Sequence, residues 1–238
     1  MAALLLSQGI STPVAVLLVL MLCAVIGLYH GFFITRVGLA PFIITLGSLS
    51  MFRGIAVIST RGYPIRIESD AFLWLGQGLV FGIPAPVIIL AIIAVAVNYL
   101  LNQTALGRHI YAIGGNPEAA RLSGIPVRRV LTFVYMQATV LFGISAMLLA
   151  SRLGQGMPGV GIGYELNAIA AAVIGGTSLY GGVGTVLGTV IGATLMALID
   201  NLLVLLRVEP WWNELIIGVV IVVAITFDMI TAKRRTAS

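Results

Sequence analysis

The sequence predicts an all-α protein, a polytopic bundle of transmembrane helices forming a single domain over residues 1–238. Three observations carry that expectation. Hydrophobic residues make up 60% of the chain and charged residues 9%, with a mean hydropathy of +1.11. A soluble domain keeps charged residues near about 25%, so there is too little polar surface here to coat a globule, and lipid is the solvent. The apolar residues also gather into about seven runs, each near the roughly 20 residues that cross a hydrocarbon core as a helix. Finally, several runs begin at or beside a proline, whose missing N–H costs nothing in a first helical turn.

Taken in order, the runs extend from Pro13 to Phe33, Pro41 to Ser59, Pro84 to Leu101, Val130 to Ala150, Leu166 to Leu179, Val186 to Leu206 and Leu215 to Ala232. The fifth is short and interrupted by glycine. Ahead of the first, Met1 to Leu6 is apolar but too short to span, and it runs into Ser7, Gln8 and Gly9. It reads as the end of a helix whose beginning is absent, so an N-terminally incomplete chain is expected. With no basic segment and no small-residue cleavage site before Pro13, a signal peptide is not expected.

The basic residues set orientation. If Lys233, Arg234 and Arg235 are cytoplasmic, alternation also places Arg36 and the cluster Arg108, Arg121, Arg128 and Arg129 inside. The other face receives Arg61, Arg66, Arg152 and Arg207, diluted by Glu68, Asp70, Glu165, Glu209 and Glu214. The C-terminus is therefore expected inside and the N-terminus outside.

Several function classes fall away. The net charge of +5 is scattered between apolar runs, never interleaved with aromatics in a polar stretch, which argues against nucleic acid. Lys233 is the only lysine, so no phosphate-binding GxxxxGK[ST] loop exists and the chain is not expected to hydrolyse ATP. Cys23 is the only cysteine, which removes disulfides and cysteine-based metal sites. There is no HExxH, no GxSxG and no paired histidine, so no catalytic residue, metal or cofactor is expected. Gly154, Gly156 and Gly159 fit GxGxxG but follow a membrane helix rather than a strand, and read as a glycine-rich outer loop.

Glycines carry the next signal. Gly184, Gly188 and Gly192 line one stripe of an apolar helix, and Ala168, Ala172 and Gly176 form a second; such stripes let helices in lipid approach backbone to backbone. A moving interface and a static one are both compatible with them. Between the stripes, Gly175, Gly176, Thr177, Ser178, Gly181 and Gly182 form a density that a lipid-facing helix would not tolerate, and irregular backbone at membrane depth needs protein or a water-filled cavity around it. With Glu165 and Asn167 these residues are expected at a translocation path or gate; the plainer alternative is an inside turn between two helices.

The loop 102–129 carries its own start and stop. Asn116 suits an N-cap, Pro117 the first helical position and Glu118 the positive end of the helix dipole, while Gly124 and Pro126 end the element. A helix of about two turns follows, either a cytoplasmic docking element or an ordinary linker. The small Ala119 and Ala120 would let it approach a partner closely. Of the charges inside spans, Arg53 lies deep, whereas Asp200 and Asp228 sit near helix ends; His30 and His109 read as satisfied or snorkelling side chains.

The text Thr104-Ala105-Leu106-Gly107-Arg108-His109-Ile110-Tyr111-Ala112-Ile113-Gly114-Gly115-Asn116-Pro117-Glu118-Ala119-Ala120-Arg121-Leu122-Ser123-Gly124-Ile125 closely resembles the signature of ribose-type permeases of bacterial ATP-binding-cassette sugar importers. A second block, from Gly163 through Gly175-Gly176-Thr177-Ser178-Leu179 to Thr185, resembles the same family's later signature. The resemblance implies an importer permease fold of type II-like architecture in the inner membrane, as a homodimer or with a paralogue. It also implies a cytoplasmic ATPase that binds the ATP, and a periplasmic or lipid-anchored sugar-binding protein that delivers a monosaccharide. By the same resemblance Asn116, Pro117, Glu118, Ala119, Ala120, Arg121 and Gly124 couple the permease to the ATPase. Family members carry further helices upstream of the matched region, in keeping with the shortened look of Met1 to Leu6. A secondary transporter is the rival reading, but the spans offer few carboxylates for ion coupling beyond Asp200.

Overall fold

In a computed structural model of the chain, the structure describes residues 1–207 together with Trp212, Leu215, Ile216, Gly218, Val219, Val222 and Thr226. The elements in order are α1 (Ala2–Ser7), α2 (Thr12–Phe32, continued by a π-helical turn, Phe33–Val37), α3 (Pro41–Thr60), β1 (Ile65–Arg66), α4 (Asp70–Gln77), β2 (Leu79–Val80), β3 (Ile83–Pro84) and α5 (Ala85–Gln103). They continue as α6 (Ala105–Gly115), α7 (Pro117–Leu122), α8 (Val127–Leu153), β4 (Gln155–Gly156), α9 (Tyr164–Ile174) and α10 (Val186–Leu205).

Five helices among the described residues are long and apolar enough to span: α2 with its π-helical turn, α3, α5, α8 and α10. They match five of the expected runs to within a few residues. The fifth expected run differs. It forms α9, an 11-residue helix of roughly 16 Å, which covers only about half of a 30 Å hydrocarbon core. Gly176 stops it by turning left-handed (φ 83°), while its own N–H bonds Val173 O and Thr177 N–H bonds Ala172 O. Thr177 and Leu179 are thus outside the helix; a hydropathy window registers side-chain polarity but not the backbone turn at Gly176. The expected run from Leu215 to Ala232, Asp228, Glu209, Glu214 and the tail Lys233 to Arg235 lie outside the described residues or mostly so.

The chain divides into two compact units. In the first (residues 1–92 and 126–160), α2 and α8 run antiparallel along a glycine seam. A Cβ on Gly27 would fall on Thr139 Oγ1 and Met136 Cα, one on Gly31 would lie 2.8 Å from Thr132 Cα, and one on Gly143 would lie 2.5 Å from Cys23 Sγ. These helices meet backbone to backbone, the arrangement by which helices hold together where the hydrophobic effect is absent. His30, on the same helix, is buried and bonded through Nε2 to the buried Ser48 Oγ of α3 at 2.9 Å, so it is a satisfied polar side chain.

At one end of α8 the segment between α3 and α5 folds over the helix. Phe72 of α4 is fully buried, in a cluster with Ala2, Ala3, Val19, Ile67 and Met147. Ser151, also fully buried, accepts from Gly76 N–H at 2.7 Å and donates to Phe72 O at 2.7 Å. Here the GxGxxG text has a structural use: Gly154 is the left-handed cap of α8 (φ 67°), and Gln155–Gly156 pairs antiparallel with Ile65–Arg66. Ser151→Ala would remove the acceptor of the half-buried Gly76 N–H and the hydroxyl that bonds Phe72 O, at a cost of up to about 1–3 kcal/mol. A lower melting temperature in detergent, relative to the exposed Ser123→Ala as control, is the expected result; equal melting of the two would show that α4 is not held by this hydroxyl.

The second unit (residues 93–125 and 161–238) contains the end of α5 with α6, α7, α9 and α10. Thr104 turns the chain between α5 and α6, its Oγ1 accepting from Gly107 N–H at 3.2 Å, and Gly107 is required there because a Cβ would fall on Leu101 O. α9 and α10 pack antiparallel around Ala170, Ala171 and Met196.

Candidate coupling surface and translocation seam

The expected short helix is present as α7. Asn116, extended at φ −155°, ends α6 and caps α7, its Oδ1 accepting from Ala119 N–H at 3.0 Å. Pro117 follows at the first helical position and Glu118 lies in the first turn, joined to Arg121 at 3.0 Å in an exposed pair. At the other end Gly124 is left-handed (φ 82°), Gly124 N–H bonds Arg121 O and Ile125 N–H bonds Ala120 O at 3.1 Å. That pair of hydrogen bonds around a left-handed residue satisfies the last carbonyls of a helix of 6 residues that would otherwise unwind.

The two alanines of α7 differ. Ala120 is 4% exposed, covered by its own chain, whereas Ala119 is exposed and Leu122 is 82% exposed. The expectation that both alanines face a partner is corrected for Ala120: its small size serves internal packing. The outward surface is Glu118, Ala119, Arg121 and Leu122, and Leu122 is the residue that sequence reasoning passed over. An apolar side chain so exposed on a capped polar turn is the signal that could have found it.

The glycine-rich stretch lies beside this helix. After α9 ends, Ser178 N–H bonds Val183 O at 3.0 Å and Gly181 N–H bonds Ser178 O at 3.2 Å, closing a tight turn in which Gly181 and Gly182 are left-handed (φ 90° and 75°). That turn sits on the end of α6. A Cβ on Gly181 would lie 2.5 Å from Gly114 O, one on Gly182 2.9 Å from Gly115 Cα, and one on Gly114 2.5 Å from Gly182 N. Tyr111 Oη donates to Gly184 O at 2.8 Å. Thr185 then caps α10, accepting from Gly188 N–H at 3.1 Å. Gly181 and Gly182 therefore form an ordered turn on α6, one residue from α7, instead of irregular backbone inside a span. The plainer of the two sequence readings describes their geometry.

The remaining predicted residues lie along α9 and α10. A Cβ on Gly188 would fall on Gly175 O and one on Gly175 would fall on Gly188 O, while one on Gly192 would fall on Ala171 O. The stripe Gly184, Gly188 and Gly192 is thus the seam, with Gly184 facing the Thr177 side chain at 3.0 Å. Its opposing stripe is Ala171 and Gly175, not Ala168, Ala172 and Gly176; Ala168 and Gly176 are exposed in this chain. Thr177 Oγ1 is 3.4 Å from Thr189 Oγ1 across the seam. Glu165 is exposed in the first turn of α9, and Asn167 is half-buried with its Oδ1 unpaired. Arg53 is half-buried on α3 in the other unit, and Asp200 lies on α10. Among the described residues no group of three or more metal-ligating side chains occurs.

The chain is similar to known membrane permeases along most of its length. The family described as branched-chain amino acid transport system / permease component matches residues 1–225. The ribose import permease protein of Escherichia coli is 40% identical over 223 residues, covering 92% of this chain and 70% of that protein. The galactose/methyl galactoside import permease protein of Haemophilus influenzae is 38% identical over 233 residues (95% and 69%). The L-arabinose transport system permease protein of Escherichia coli is 36% identical over 206 residues (87% and 63%). No solved structure matches. With matches of this extent, and with spans of the required length, the chain is a multi-pass membrane protein that belongs to the family of ribose-type sugar ABC-transporter permeases.

Proposed function

We propose that this chain is the membrane-spanning subunit of a binding-protein-dependent importer, through which a monosaccharide of the ribose, arabinose or galactose kind crosses the bacterial inner membrane. A cytoplasmic ATPase partner binds and hydrolyses the ATP, a sugar-binding protein delivers the solute outside, and a second copy or paralogue completes the path. In this reading nucleotide binding belongs to the partner, and the chain supplies the path without a cofactor. The observation that supports this reading most is the junction of α7 with the α9–α10 turn. The Tyr111–Gly184 bond and the Gly114–Gly181–Gly182 contact tie the end of α6 to the base of the seam, so a displacement of α7 reaches α9 and α10 through close-packed backbone. In this reading Asn116, Pro117, Glu118, Ala119, Arg121 and Leu122 meet the ATPase, Ala120 and Gly124 shape the helix, and Asn167, Gly175 and Thr177 line the moving seam.

The test is reconstitution. Co-expressed with the ATPase and supplied with the binding protein, the chain should support ATP-dependent sugar uptake into proteoliposomes, and purified alone it should turn over no ATP. ATP turnover by the isolated chain would sink the reading. Orientation is tested with cysteines at Gly62 and Gly159, where added side chains meet open space, and at the exposed Ser123, in a Cys23→Ser background. The first two should react with an impermeant reagent from outside and the third should not; the reverse pattern would overturn the placement of α7 on the cytoplasmic side.

A further inference from the structure

The segment between α4 and α5 turns on a bulky apolar residue that the rest of the chain leaves uncovered. Leu79 pairs with Pro84 and Val80 with Ile83, so β2 and β3 form a hairpin whose loop is Phe81 and Gly82. Both loop residues are left-handed, at φ 51° and 81°, as the favoured two-residue hairpin turn requires. Asn, Asp or Gly is the usual occupant of the first position, whereas a bulky aromatic residue there is strained. Phe81 is fully exposed, so none of the described residues packs against it to offset that strain. The hairpin is held at its base: Ala85 N–H bonds Gly78 O and Gly78 N–H bonds Trp74 O, each at 2.8 Å. A Cβ on Gly78 would lie 2.7 Å from Trp74 Nε1, so the indole rests against the base, while Leu79 and Ile83 stand exposed beside the tip.

What covers this tip follows from where it is attached. Ala85 opens α5, one of the spanning helices, and from Gly78 to Val97 no side chain is polar or charged. The 19 residues of α5 are roughly 28 Å long, close to the about 30 Å of a hydrocarbon core, so the hairpin begins where acyl chains meet headgroups. Its stem of about three residues reaches roughly 10 Å, on the order of the headgroup layer. Aromatic side chains gather at that level, Trp among them because its ring is apolar and its N–H is not. A protein partner would be met by hydrogen-bonding side chains around an apolar centre, and the hairpin offers none.

We infer that the β2–β3 hairpin is a membrane-interface anchor, with Phe81 inserted among lipids at the headgroup–acyl boundary beside the start of α5. It depends on the spanning helices alone and stands or falls apart from the importer reading. The experiment uses the full chain in nanodiscs of phosphatidylethanolamine and phosphatidylglycerol. A nitroxide is placed on Phe81→Cys, Gly62→Cys or Leu90→Cys, one at a time, in a Cys23→Ser background; Gly62 meets open space at the end of α3 and Leu90 is exposed on α5. Collision with a water-soluble nickel chelate should be at least about fivefold weaker at 81 than at 62, and collision with oxygen, which dissolves in lipid, within about twofold of that at 90. A second probe, on Leu79→Cys, compares Phe81 with Phe81→Asn. Asn suits the turn, so this variant should melt at or above wild type in detergent, while nickel contact at 79 rises at least about twofold as the tip leaves the lipid. A label at 81 as open to nickel as one at 62 overturns the inference, and so does nickel contact at 79 unmoved by Phe81→Asn. Melting of Phe81→Asn well below wild type would mean that Phe81 packs within the chain, and overturns it too. Protection at 81 that appears only when a sugar-binding protein is added, or spin–spin broadening between two copies, would give the tip a protein partner in place of lipid and equally sink it.

Discussion

Replacing Ala119 by Trp is expected to abolish co-purification of the ATPase and to reduce sugar uptake at least tenfold, while the amount of permease in the membrane stays at the wild-type level. Ala119 is exposed, so the large side chain disturbs nothing within the chain. It stands between Glu118 and the exposed Leu122 on a helix fixed at both ends by Asn116 and Gly124. A helix so fixed cannot rotate to hide the indole, and a close-packed interface accommodates added volume poorly, at about 1–3 kcal/mol or more. The neighbouring position gives the contrast. Ala120→Trp adds the same volume at a residue buried in its own subunit, so it should lower permease abundance itself, a different phenotype one residue away. Asn116→Ala should give a partial defect, since loss of an N-cap costs about 0.5–2 kcal/mol. Full co-purification and uptake with Trp at 119 would reduce α7 to a linker.

How far this surface could be read from the text depends on the range of the interactions that make it. Both ends of α7 were legible because capping is local: Asn116 bonds a donor three residues on, and at the other end Gly124 N–H bonds the carbonyl three residues back and Ile125 N–H the one five residues back. The five long spans were legible for a related reason, as hydropathy is summed along the chain and needs no partner. The inward-facing side of α7 was not, because which of two adjacent alanines is covered depends on elements distant in sequence. The hub at Ser151 joins residues about 75 apart and leaves no local trace at either end.

The seam shows the boundary more finely. Of the expected stripe, Gly188 and Gly192 lie on α10 and meet the backbone of α9, since in lipid a run of small residues has few other uses; Gly184 precedes the helix, ahead of its cap Thr185. On α9 the same rule selected Ala168, Ala172 and Gly176, one residue out of phase with the observed Ala171 and Gly175. With alanines at 168, 170, 171 and 172, that helix has small residues on several faces, and spacing alone cannot choose among them. The GxxxG pair Gly27 and Gly31 carried equal information for the α2–α8 seam and was passed over.

Gly192→Leu is expected to have the largest effect on the permease itself, sharply reducing its abundance in the membrane. Gly192 is buried at the centre of α10, where even a single Cβ would fall on Ala171 O and lie 2.9 Å from Gly175 N. The obstacle is backbone, not the end of a flexible side chain, so the clash is relieved only by moving α9 and α10 apart. Their separation would strip the contacts around Ala170, Ala171 and Met196, and in lipid no hydrophobic effect restores what packing loses. Gly192→Ala isolates the clash from the bulk and should destabilise by about 1–3 kcal/mol, read as a lower melting temperature in detergent. Gly184→Ala makes the comparison decisive. An added Cβ there meets only the Thr177 side chain, at 3.0 Å, which can turn aside, so that variant should melt close to wild type. The expected order of damage is therefore Gly192→Leu, then Gly192→Ala, then Gly184→Ala. If Gly192→Ala accumulates and melts like the wild type, α9 and α10 are not in backbone contact, and the path by which a movement of α7 reaches the seam is lost with them.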